Sequence, residues 1–188
     1  MSNTTTHTSA GQRPQMTETA VLRQRARQHI EEGAVTEGYA ANREAVITML
    51  NGALATELVC VLRYKRHHFM AAGIHSEPVA AEFLAHANEE MGHADLLAKR
   101  IVQLQGEPNF SPEGLAERSH AEYVAGTTLR EMIKEDLIAE RIAIESYREM
   151  IAYLGTDDPT TRRILVDILA VEEEHADELS ALIQGMKD

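Results

Sequence analysis

The stretch Glu89-Glu90-Met91-Gly92-His93-Ala94-Asp95, with its echo Glu172-Glu173-Glu174-His175, decides the fold. Each copy sets a glutamate three residues before a histidine, inside a long segment whose apolar residues recur at steps of three and four. Around the first copy the apolar stripe reads Phe83, Ala87, Ala94, Leu97 and Ile101; around the second it reads Leu165, Ile168, Leu169, Leu179 and Leu182. That period predicts amphipathic helices over about 77–105 and 159–184. Positions i and i+3 share a helix face, so each copy can turn a carboxylate and an imidazole to the same side.

Two further long helices are predicted. One runs from about residue 43 to 72, with Val46, Leu50, Ala53, Val61 and Tyr64 on its stripe. The other runs from about 128 to 154, with Ile133, Leu137, Ile144, Tyr147 and Ile151. Their stripes are interrupted by Glu57 and Glu140. The connections at 73–76 and 155–159 are short, so the helices pair as two antiparallel hairpins. The connection from Gly106 to about Gly126 is long enough to travel the length of a bundle, with a small helix expected near 112–118. The fold class is all-α: a four-helix bundle with one long crossover between its second and third helices, plus an extra N-terminal helix.

The spacing fixes a level. Glu57 and Glu90 each lie 16 residues from the turn near 73–74, and Glu140 and Glu172 each lie 16 residues from Thr156. At 1.5 Å per residue all four carboxylates stand about 24 Å from their turns, at mid-bundle. A charge at a core position needs a counter-charge or a metal. Four carboxylates and two imidazoles in one layer form the pattern of di-iron and di-manganese carboxylate bundles. The expected metal ligands are Glu57, Glu90, His93, Glu140, Glu172 and His175, with Glu90 and Glu172 bridging and the others terminal.

Composition limits the function further. The 188 residues carry a formal net charge of −12, which suits cations and disfavours nucleic acid. The single cysteine, Cys60, allows no disulfide within the chain and no Cys-x-x-Cys site. No run of eighteen apolar residues and no apolar leader is visible, which predicts a cytoplasmic protein with no membrane span. Residues 1–16 read as a disordered polar tail, 17–42 as a helical extension capped by Thr17, anchored by Val21, Leu22 and Ile30 and ended by Gly33, and 43–186 as the bundle. Arg13 of the tail and Arg23, Arg25 and Arg27 of the extension are offset by Glu18, Glu31, Glu32 and Glu37, which favours packing over DNA binding.

These motifs resemble the bacterioferritin branch of the ferritin-like superfamily over about residues 43–186. The likeness lies in 89–95 with Ile101 and Gly106-Glu107-Pro108-Asn109, in Asp136-Leu137 through Arg148-Glu149, in Ile168-Leu169 through His175, and in Asn51 to Val59. Tyr64 matches a tyrosine beside the site. The resemblance implies a ferroxidase that oxidises Fe(II) with dioxygen or hydrogen peroxide and deposits Fe(III) inside a hollow homo-oligomer. It also implies that Met91 ligates haem b across a dimer interface, whereas as a bare residue Met91 is equally an ordinary interface side chain. The N-terminal extension, the longer crossover and the 13 residues after His175, too few for a fifth helix, depart from that branch towards the Dps-type shells. The expectation is therefore a dodecamer with a bacterioferritin-type site, the alternative being a twenty-four-subunit shell. Competing functions are a rubrerythrin-like peroxidase without storage, disfavoured by the single cysteine; a DNA-protecting shell, disfavoured by the balanced extension; and a di-iron oxygenase component, which usually needs a larger chain. His67, His68, His86 and His120 are expected at the surface, although His86, one turn before Glu90, is also placed to support the site or bind iron on an inner surface. Arg63, Lys65, Arg66 and His67 are expected to form a solvated or subunit-contact face.

Overall fold

The computed structural model describes residues 15–73 and 76–186. By packing, the chain divides into two compact units, residues 1–37 and 38–188. Among the described residues every regular element is helical.

In the first unit, α1 spans Thr19–Arg25 and a single 3-10 turn spans Ile30–Glu32. The expected helix from Thr17 to Gly33 is thus broken in two. Glu18, not Thr17, precedes α1 and makes no side-chain cap, and no residue of α1 is buried. A helix of this length, without a cap or a packed face, has nothing to offset the cost of nucleation, so it does not propagate. His29 adopts a left-handed conformation (φ 49°) and Gly33 closes the turn at φ 60°. Residues 1–14 of the expected tail lie outside the described residues.

The second unit is the bundle. Helix α2 spans Arg43–Met70, α3 Ser76–Gln103, α4 Leu115–Arg118, α5 Leu129–Leu154 and α6 Pro159–Gly185. Helices α2 and α3 pack along their length, as do α5 and α6; the two hairpins meet through α2 against α5 and α3 against α6. Local chemistry sets the starts. Asn42 accepts the Ala45 N–H at 3.1 Å. Thr128 and Glu131 form a reciprocal capping box. Asp158 caps α6, with Pro159 in the first turn.

The end of α3 differs from the simplest reading. The left-handed residue is Gln105 (φ 64°), and the Gly106 N–H reaches back to the Ile101 carbonyl at 2.9 Å, a Schellman-type closure. Gly106 is needed for space: a Cβ there would lie 2.7 Å from Ile47 Cγ2 on α2.

The crossover is tied to α2. Asn51 accepts the Asn109 N–H at 2.8 Å and donates to the Glu107 carbonyl at 3.1 Å. Farther along, Arg63 donates to the Glu122 carbonyl at 3.1 Å, and Arg66 and His67 both bond the Ala125 carbonyl. Here the structure corrects the sequence reading. Arg63 and His67 are fully buried, not solvated: Asp136 of α5 takes Arg63 Nε at 2.7 Å and His67 Nδ1 at 2.8 Å. A buried acid on the facing helix turned two polar residues inward, and the 3.6-residue period of α2 alone carries no sign of it.

Helix α2 also contains a window apolar enough, by length and composition, to cross a membrane. Just over half of that window, 56%, is buried in the bundle, and the helix carries the buried Glu57 and Arg63, so its apolarity is that of a core helix.

Candidate metal centre

All six sequence-selected side chains converge in one layer at mid-bundle, each nearly or fully buried. Each of the four long helices contributes. Glu57 comes from α2, Glu90 and His93 from α3, Glu140 from α5, and Glu172 and His175 from α6. Two overlapping four-residue groups have ligand atoms within 4.8 Å of one another: Glu57, Glu90, His93 and Glu172 on one side, and Glu140, Glu90, Glu172 and His175 on the other; His86, Glu140 and His175 form a further group of three.

Glu90 and Glu172 belong to both groups, one oxygen to each side. His93 Nδ1 lies 3.2 Å from Glu90 Oε2 and 2.9 Å from Glu172 Oε1. His175 Nδ1 lies 3.6 Å from Glu90 Oε1 and 3.5 Å from Glu172 Oε2. Each of these two carboxylates thus faces both sides of the layer. Glu57 Oε2 stands 3.5 Å from His93 Nδ1 on its side, and Glu140 stands on the His175 side.

Several atoms facing the centre stand close to opposite groups but make no well-aligned hydrogen bond: Glu90 Oε1, Glu140 Oε2, both oxygens of Glu172, and His175 Nδ1. Buried polar atoms are normally satisfied. Orphans clustered on one point are what a cation-binding pocket presents, and oxygen-rich donors with two imidazoles suit first-row divalent metals.

Protons can balance part of this buried charge. Burial, then the Glu90 charge, pushes Glu57 up to about 8. Burial and the Glu90 and Glu172 charges push Glu140 well above the usual carboxylate range. Burial opposes charge on His93, but hydrogen bonds with Glu172, Glu57 and Glu90 outweigh it and carry the imidazole up to about 12. The same balance, with Glu172 and Glu90 as partners, carries His175 up to about 11. Burial and the Glu172 charge oppose ionisation of Glu90, yet hydrogen bonds with Glu57, His175 and His93 hold it below its ordinary value. A metal bound here would compete with protons for one donor set.

Around this layer stand residues that orient it. Tyr64 of α2 donates to Glu140 Oε1 across the bundle, and Tyr147 of α5 donates to Glu57 Oε1 in return. The sequence reading found Tyr64 and took Tyr147 for packing. The missed signal was present: Tyr147 follows Glu140 by seven residues, as Tyr64 follows Glu57. Glu89, exposed on α3, accepts from His175 Nε2 at 2.7 Å and fixes that ring. It lies off the apolar stripe, so no periodicity marks it.

His86 is a second correction. It is buried (1% exposed), stacked on His175 with ring centroids 4.0 Å apart. Antiparallel packing of α3 on α6 puts it one turn from the layer, against the other helix. His120 is exposed and His68 half-buried. Met91 is 40% exposed on the outer face of α3, away from the layer.

Comparison with known proteins agrees with this architecture. The family described as Ferritin-like domain matches residues 47–188. The bacterioferritin of Mycobacterium tuberculosis is 31% identical over 142 residues, covering 75% of this chain and 85% of that protein. The bacterioferritin of Rhodobacter capsulatus is 31% identical over 139 residues, covering 73% and 82%. A solved structure from Bacteroides fragilis, described as a dodecameric thioferritin and bacterioferritin-related protein, superposes with a TM-score of 0.74 at 31% identity, covering 77% of this chain and 88% of its own. Dps from Thermosynechococcus elongatus shares the fold, with a TM-score of 0.72 at 22% identity over 77% and 92% of the two chains. With a match across three quarters of its length and relatives at this identity, the chain belongs to the ferritin-like family, on its bacterioferritin branch.

Proposed function

We propose that the protein is a ferroxidase that oxidises Fe(II) at this intrasubunit centre and stores Fe(III) in a hollow homo-oligomer. The observation that carries the reading is the placement of Glu90 and Glu172, each with one oxygen to either side of the layer. Four carboxylates balance the charge of two divalent ions, and as the ions lose electrons to dioxygen or hydrogen peroxide the same carboxylates favour the higher charge. Glu57 with His93, and Glu140 with His175, are the terminal ligands. Tyr147 and Tyr64 hold the terminal carboxylates in place. The bundle of residues 43–186 is the unit that carries the site.

A dodecamer is the proposed assembly, supported by the dodecameric state named for the B. fragilis relative. The resemblance extends haem b to Met91, whose exposure suits an intersubunit ligand. A Soret band in protein purified with haem supplied supports that extension, and its absence removes it.

Aerobic addition of Fe(II) tests the main reading. A fast phase consuming two iron per subunit is expected, followed by mineral retained in a particle whose mass reports the shell. Combined Glu57→Ala and Glu140→Ala should abolish the fast phase; its survival refutes the site. Oxidation without retention would favour a peroxidase without storage.

A further inference from the structure

One turn along α3 from the six-residue layer lies a second polar group, joined to the layer through His86, which also stands within ligand distance of Glu140 and His175. His86 Nε2 stands 2.9 Å from Glu178 Oε2 of α6 and 3.5 Å from Glu82 Oε1 of α3. The imidazole is buried, with 2% of its side chain exposed, while Glu82 and Glu178 are 37% and 43% exposed. The group thus reaches from solvent to the ring of His175, on which His86 stacks.

With a neutral His86 ring, hydrogen bonding leaves this group one donor short. The other nitrogen of His86, Nδ1, is 3.2 Å from the Tyr64 hydroxyl. A phenol has one hydrogen, and Tyr64 gives it to Glu140. Tyr64 can therefore only accept from His86, so Nδ1 carries the N–H. The neutral ring is left with a bare lone pair on Nε2, pointed at two carboxylates. Three acceptors within 4.8 Å, one of them buried, call for a cation between them. The assignment of that tautomer rests on Glu140 being an ionised ligand, and so on the function proposed above.

The pseudo-symmetry of the bundle supplies an independent argument. The offset that carries Glu90 to Glu172 and His93 to His175 carries His86 to Ile168 and Glu82 to Ile164, and it carries Glu178 back to Leu96. The mate of this group is wholly apolar. Nothing in building the central layer requires Glu82, His86 and Glu178, since the symmetric side does without them.

We infer that Glu82, His86 Nε2 and Glu178 form a third cation site, adjoining the central layer, for a first-row divalent metal. Two carboxylates and one imidazole suit such an ion, and two open flanks leave room for water ligands.

The test uses the purified, metal-stripped oligomer, Co(II) as the probe, and anomalous diffraction at the cobalt edge with equilibrium dialysis. Wild type should show a cobalt peak between Glu82, His86 and Glu178 besides two in the central layer, and bind three equivalents per subunit. The variant Glu82→Gln with Glu178→Gln, altered only at half-exposed positions, should lose that peak and one equivalent. Peaks in the central layer alone, with two equivalents in both proteins, mean that a proton fills the group and overturn the inference while the central reading stands. A peak at the third position with none in the layer would sink the central reading instead.

Discussion

Replacing Arg63 by methionine probes the least expected feature of the bundle. Arg63 and Asp136 are both fully buried and meet at 2.7 Å. Removing one partner of a buried pair costs about 3–5 kcal/mol, because the other charge is left in a low-dielectric interior. Asp136 keeps His67 Nδ1 at 2.8 Å, which reduces the loss, whereas the Glu122 carbonyl forfeits its Arg63 donor, which adds about 1–3 kcal/mol. The two corrections are of similar size, so the estimate stays at about 3–5 kcal/mol. At roughly 2–4 °C per kcal/mol for a chain of this size, the midpoint should fall by roughly 6–20 °C. The assay is urea unfolding of wild type, Arg63→Met, Asp136→Leu and the double variant at one protomer concentration. The double variant leaves no unpaired charge and should recover about 2–3 kcal/mol relative to the sum of the singles. Additive singles, or an Arg63→Met cost under about 1 kcal/mol, would refute a buried ion pair worth that much.

Three further outcomes are expected. Metal should stabilise the fold: with free Co(II) about 100-fold above Kd, each central site contributes about 2.7 kcal/mol, and two should raise the calorimetric midpoint by roughly 10–20 °C, returned on chelation. Glu57→Ala with Glu140→Ala should lose most of that rise, and an undiminished rise would exclude the layer as its source.

The network at the start of α6 should show in pH profiles. Burial opposes the charge of Asp158, but hydrogen bonds from Thr161, Arg100 and Tyr39 hold its carboxyl below the ordinary range. Its contribution is therefore full above the ordinary carboxylate value near about 4 and is lost as pH falls through the lowered one. The gap in urea midpoint between wild type and Asp158→Asn should shrink as pH drops below about 4. Burial, then the bond to Asp158, raises Tyr39 from 10.0 to about 12, so its contribution is full below 10.0 and lost across that window. Tyr39→Phe should remove this alkaline loss, and parallel profiles would contradict the assignment. Finally, Gly106→Ala puts a methyl 2.7 Å from Ile47 Cγ2 and should cost about 1–3 kcal/mol by overpacking. Urea unfolding should show Ile47→Ala relieving that cost in the double variant, and simple additivity would show that the clash is not the cause.

The sequence by itself determined the four long helices, their pairing into hairpins, and the layer at which four carboxylates and two imidazoles meet. These follow from helical period, cap chemistry and a constant rise per residue, all local properties. Glu57, Glu90, His93, Glu140, Glu172 and His175 were legible because a charge interrupts an apolar stripe at matched distance from a turn. The tertiary structure decided what lies off the stripe. Arg63 and His67 became core residues because Asp136 on another helix faces them. Tyr147 became a donor to Glu57, and Glu89 a partner of His175, across helix interfaces. His86 turned from a surface residue into the inner wall of a polar group when α6 brought Glu178 beside it. The broken N-terminal helix belongs here too, since a segment with no buried face is held by tertiary contacts or not at all. Period and spacing encode a residue's own helix, while the partner that sets its charge and burial comes from chain far away in sequence.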